Sequence, residues 1–130
     1  MILGLGIDMV DVGRVEQAHG RKGAAFLNRL FTPGEQAAAG DGPHRYRRLA
    51  ARLAAKEALV KALGTGLRDG RWLDAEVVND PLGKPSLRVT GGLARRLQAM
   101  GVTGVHLSLT HENHYAAAVV VLTGAPGGKP

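Results

Sequence analysis

The chain has 130 residues, enough for one domain with a modest core, and its 45% hydrophobic and 22% charged content excludes wholesale disorder. Seventeen Lys and Arg against eleven Asp and Glu give a net charge of +6, which favours acidic or phosphorylated partners. An aromatic share of 4% and the lack of cysteine leave few stacking platforms for single-stranded nucleic acid, no disulfide framework and no thiolate metal site.

In chain order, Met1–Val10 reads as a strand with Ile2, Gly4, Gly6, Asp8 and Val10 on one face and Met1, Leu3, Leu5, Ile7 and Met9 on the other. One face is apolar and the other nearly bare. Asp11 can cap a helix running to about His19, where Gly20 and Gly23 interrupt the pattern before "AAFLNRL" resumes it. "TPGE" supplies Thr32 as N-cap, Pro33 at the first helical position and Glu35 in place for a capping box, so a short helix begins there and ends in "GDGP". The strongest helical signal is "RYRRLAARLAAKEALVKALGTG", stopped by Gly64. "AEVVND" and "SLRVTG" read as strands joined by the turn "PLGKP", and "GLARRLQAM" as a short helix. "GVHLSLTH" and "YAAAVVVL" form a hairpin through "ENH", the second strand lying in the sheet interior. The order predicts an α+β fold over residues 1–123, a mostly antiparallel sheet with a long central helix packed on it, followed by a flexible tail at 124–130. "YAAAVVVL" is far shorter than the ~20 residues that cross a bilayer, and the N-terminus lacks signal-peptide features. No membrane partner and a cytoplasmic location are therefore expected.

Asp8 is the anomaly of the first strand, because an ionised carboxylate there is costly unless paired, hydrogen-bonded or metal-bound. Gly4 and Gly6 on its face leave room for a ligand. Glu57 shares a face of the central helix with Leu53, Ala54 and Ala58, so packing that helix on the sheet can bring the two carboxylates together. Facing carboxylates need a shared proton or a cation, and two with free coordination positions suit Mg²⁺ completed by substrate phosphates; pairing of each acid with an arginine is the alternative. Helical spacing puts Arg48, Arg52 and Lys56 on one stripe and Glu57 with Lys61 on another, which is either a phosphate-binding surface or a solvated face. His111 stands at the end of a strand beside a turn, where a base or phosphate contact can reach substrate. Nucleic-acid binding through Arg45, Arg47 and Arg48 is the rival use of the charge; few aromatics and no recognisable motif count against it.

Together, "GIDMVDVGR", "RLAAKEALVKALGTG" and "SLTHENHYAAAVVV", in that order and spacing, closely resemble the holo-acyl-carrier-protein synthase family of 4′-phosphopantetheinyl transferases. The resemblance implies transfer of phosphopantetheine from coenzyme A to a serine of an apo acyl carrier protein, with Mg²⁺ required and adenosine 3′,5′-bisphosphate released. By position, it implies Asp8 and Glu57 as metal ligands and Lys61 as a pyrophosphate contact. Arg45, Arg52, Gly64, Thr65, Gly66 and His111 fall in the coenzyme A region, and Arg14, Arg21, Phe26 and Arg29 in the segment that docks the acidic carrier. Glu57 or His111 is the general base. The resemblance further implies a homotrimer with active sites between subunits.

Overall fold

Which face of the first strand turns inward is decided by its glycines. In the computed structural model, which describes residues 1–126, strand β1 (Ile2–Asp11) lays its bare face, not its apolar one, against helix α4 (Arg45–Leu63). A Cβ on Gly4 would collide with the carbonyl oxygen of Ala62, and one on Gly6 with that of Ala58. Backbone therefore meets backbone, and the room beside Asp8 that the sequence suggested for a ligand at Gly4 and Gly6 is filled by the helix itself. Helix α4 suits this approach because its inward positions are small, with Ala50, Ala54, Ala58 and Ala62 all buried. The other face of β1 is left outward, so Leu5, Ile7 and Met9 stand 64%, 67% and 66% exposed.

Strand β5 (Tyr115–Gly124) occupies the centre of a three-stranded antiparallel sheet between β1 and β4 (Val102–His111), as its continuous apolar run predicts. Register sets Asp8 opposite Ala118, which keeps the carboxylate over the sheet's inner, helix-covered side. A separate antiparallel pair, β2 (Ala75–Asn79) with β3 (Pro85–Val89), makes a second small sheet. Gly124, expected to open the tail, closes β5 instead; residues 127–130 of that predicted tail lie outside the described residues.

The predicted caps are present. Asp11 Oδ1 accepts from the Gly13 amide at 2.8 Å and starts helix α1 (Val12–Lys22). Gly20 does not break that helix, since an exposed glycine costs a packed helix only about 1 kcal/mol; the break falls at Gly23, whose φ of 71° strongly favours glycine. Helix α2 (Ala24–Leu30) follows, then α3 (Pro33–Ala39) behind the Thr32–Glu35 capping box. Gly64 ends α4 in the left-handed conformation. Helix α5 (Gly91–Ala99) buries Leu93 and Leu97. No helix among the described residues is long and apolar enough to cross a membrane.

Candidate active site

Asp8 reaches the site because the alternation of β1 points it inward, one residue pair beyond the glycines that let α4 come close. Its Oδ1 accepts from Lys61 Nζ at 2.8 Å, and the same ammonium donates to the Ile7 carbonyl at 3.1 Å. Its Oδ2 is buried with no partner among the described residues. Glu57, one helical turn before Lys61, lies within bonding reach of the Asp8 carboxyl, a bond that forms only when one of the two acids holds a proton. Half-burial, then the hydrogen bond and charge of Asp8, push Glu57 up to about 7. Burial opposes ionisation of Asp8, but its bonds to Glu57 and Lys61 outweigh that and hold it below its ordinary value. The pair thus behaves as two carboxyls sharing one proton beside a lysine, the situation that a divalent cation resolves by replacing the proton. An orphaned buried carboxylate oxygen with a second carboxyl beside it fits Mg²⁺, whose remaining ligands are commonly waters and substrate phosphates. No group of three or more His, Cys, Asp or Glu side chains placed to hold a metal occurs among the described residues.

Two cavities flank α4. The first, about 390 Å³, is lined by Glu57 and Leu53 and by Arg14, Arg21 and Phe26, so three of the four residues expected to dock the carrier share a cavity with Glu57. Arg29 does not join them; it lines a different cavity with Leu67 and Trp72. The second, about 350 Å³, holds His111 with Arg48 and Arg52. It is also lined by Asn79, Gly83 and Pro85; the sequence presented Asn79 only as part of a strand and Gly83 and Pro85 only as part of a turn, and the Gly-Pro composition of that turn was the one available signal. Arg52 is buried, donates from Nη1 to the Arg48 carbonyl at 3.1 Å and keeps a buried Nε without a partner among the described residues. Burial, followed by the charges of Arg47, Arg48 and Arg52, pulls the His111 imidazole below its ordinary pKa, which favours its neutral form. Arg45 sits at the start of α4, 4.0 Å from Asp41. Gly64, Thr65 and Gly66 form an exposed loop after Lys61, steadied by Arg96 Nη1 donating to the Gly66 carbonyl at 2.6 Å.

One member of the basic stripe is neither a phosphate contact nor solvated. Lys56 is 0% exposed, and its ammonium lies 2.7 Å from Glu35 Oε1. Helical spacing alone placed it with Arg48 and Arg52, but its position turns it into the core, where Glu35 supplies the counter-charge that burial demands.

The geometry defines a class: a two-carboxylate, one-lysine centre beside an arginine and histidine cavity, suited to a phosphate-bearing substrate and a divalent cation. Comparison with known proteins narrows it. The family model of the 4′-phosphopantetheinyl transferase superfamily matches residues 4–120. The holo-[acyl-carrier-protein] synthase of Xanthobacter autotrophicus is 48% identical, with 97% of each chain covered. Among solved structures, the holo-[acyl-carrier-protein] synthase of Neisseria meningitidis superposes with a TM-score of 0.85 at 35% identity, covering 95% of this chain and 99% of that one. The Bacillus anthracis holo-(acyl-carrier-protein) synthase, solved in complex with CoA (3′,5′-ADP), gives 0.79 at 36% identity over 96% and 99%. The chain belongs to the holo-[acyl-carrier-protein] synthases of the 4′-phosphopantetheinyl transferase superfamily.

Proposed function

We propose that this protein transfers the 4′-phosphopantetheine group of coenzyme A to a serine hydroxyl of an apo acyl carrier protein and releases adenosine 3′,5′-bisphosphate. The observation that carries the reading is Asp8, with one oxygen on Lys61 and the other buried and unpartnered beside Glu57. Asp8 and Glu57 would hold Mg²⁺, which supplies neutralisation of charge on the diphosphate. Lys61, more than half exposed at 58%, is free to turn its ammonium onto a phosphate oxygen. Arg48, Arg52 and His111 supply a basic cavity for the nucleotide phosphates, and Arg45 with the Gly64–Gly66 loop extends that surface. Arg14, Arg21 and Phe26 present two cations and one apolar contact to an acidic carrier helix, with Arg29 farther along the same segment. The serine proton has two candidate acceptors: Glu57, which is raised, and His111, whose neutral form is favoured.

Glu57 and His111 line different cavities of one chain, and Leu5, Ile7 and Met9 leave an exposed apolar strip on β1. Both features support a homotrimer with active sites between subunits. Ile7→Arg should then yield monomers in sedimentation experiments and lose transfer activity. Intact mass spectrometry of an apo carrier incubated with the protein, coenzyme A and Mg²⁺ tests the reaction itself. One added phosphopantetheine, lost in Asp8→Ala and in Glu57→Ala, supports the reading; no adduct on any carrier defeats it. An unchanged pH profile in His111→Ala would leave Glu57 as the base.

A further inference from the structure

We infer that the buried Glu35–Lys56 pair positions the active helix, setting the rotation and axial register of α4 so that Glu57 faces Asp8 while Arg52 faces the His111 cavity. The inference rests on the transferase reading above, and Lys56 is a positioning residue that touches no substrate. Lys56 immediately precedes Glu57 and lies one helical turn after Arg52, so whatever fixes its azimuth fixes both functional side chains.

Three directional contacts fix it. Lys56 Nζ meets Glu35 Oε1 at 2.7 Å and donates to the carbonyls of Ala75 at 2.6 Å and Trp72 at 3.2 Å, which uses all three ammonium protons. Glu35 is equally committed: Oε1 accepts from the Thr32 amide at 3.0 Å and Oε2 from the Val77 amide at 2.9 Å. One ion pair therefore ties the cap of α3, the turn at Trp72 and strand β2 to a single point on α4. Strand β2 carries Val77 and Asn79 into the His111 cavity, so the same lock holds that cavity's wall against Arg52.

On the opposite side of the helix the one polar tie is the half-open Lys61, which bonds to Asp8 and to the Ile7 carbonyl, and the rest is close backbone packing. There, Ala58 and Ala62 ride on Gly4 and Gly6, and small side chains on a bare strand provide few interlocking knobs. A buried ion pair is no efficient source of stability, since well-packed neutral groups of similar volume often do as well. What the pair adds is geometric uniqueness at the one helix that carries Arg52, Glu57 and Lys61.

The test compares wild type with the double variant Glu35→Gln/Lys56→Met, which removes both charges together and avoids stranding either one. Melting midpoint, Mn²⁺ affinity without coenzyme A (by electron paramagnetic resonance) and kcat for transfer are the readouts. The expected result is a folded variant with a lowered midpoint, since one backbone amide and the Ala75 and Trp72 carbonyls lose their partners. Mn²⁺ affinity should be at least about fivefold weaker and kcat at least about tenfold lower, because small displacements of reacting groups cost large factors. A folded double variant with both values within about twofold of wild type overturns the inference and leaves the pair a structural contact only. If the double variant does not fold, Glu35→Asp retains both charges and draws Lys56 toward a shorter partner; a weakened Mn²⁺ site then supports positioning and an unchanged one refutes it. A wild type that binds Mn²⁺ but transfers nothing defeats the transferase reading separately, and the Mn²⁺ affinities alone decide this inference.

Discussion

Two lysine–carboxylate pairs lie on the same helix at nearly the same distance, 2.7 Å for Lys56 with Glu35 and 2.8 Å for Lys61 with Asp8. They differ in burial. The first pair has both side chains at 0% exposure, whereas Lys61 is 58% exposed over a 13% exposed Asp8. A sealed pair with every donor and acceptor used is a fixed joint. An open pair with an idle carboxylate oxygen is a contact that a cation or a phosphate can exchange. Water access, not bond length, separates a structural pair from a functional one.

The sharpest way to break this contrast is to remove one partner from each pair. Lys56→Met strands a buried Glu35 carboxylate and should cost about 3–5 kcal/mol in urea unfolding. Lys61→Met should leave the unfolding midpoint nearly unchanged while lowering kcat by about 10²-fold or more. Equal destabilisation by both would show that exposure does not distinguish them. Next in size is Gly6→Ala, whose methyl group meets the Ala58 carbonyl. Overpacking of this kind costs about 1–3 kcal/mol, and by pushing α4 off β1 it should also weaken Mn²⁺ binding, whereas Gly42→Ala, with nothing near its Cβ, should change neither.

The smallest effect concerns protons. Glu57 is raised to about 7 from 4.5, so the metal-free folded protein holds a proton that the unfolded chain has released. That contribution to stability is complete below about 4.5 and disappears as pH rises through about 7. Denaturant titrations of metal-free protein should therefore show stability declining over that interval. Asp8→Asn should shrink the decline without abolishing it, since burial of Glu57 is the larger cause. Mn²⁺ affinity should rise over the same interval, because the metal must displace the proton.

Much of the frame was legible in the chain. Asp11, Thr32 with Glu35, and Gly64 mark helix ends through local chemistry that needs no tertiary partner, and the run Tyr115–Leu122 announces a central strand by its unbroken apolarity. Asp8 and Glu57 could be singled out because charges at inward positions of apolar elements demand an explanation, and Lys61 because helical spacing sets it on the stripe of Glu57. The orientation of β1 could not be read, because an apolar face usually turns inward and here Gly4 and Gly6 turn inward instead. Lys56 was equally opaque, since helical period sets it near Arg52 without showing that Glu35, distant in sequence, waits for it in the core. Arg29 shares a basic segment with Arg14 and Arg21, but a change of helix at Gly23 sends it to another cavity.

The sequence by itself determined the elements, their ends and the residue types able to bind a cation and phosphates, because capping, periodicity and charge act over a few residues. The tertiary structure alone decided which lysine is sealed and which is open, which strand face carries the helix, and that Glu57 and His111 occupy separate cavities. Those outcomes depend on what water is excluded from, and exclusion is a property of packed surfaces that no single segment contains.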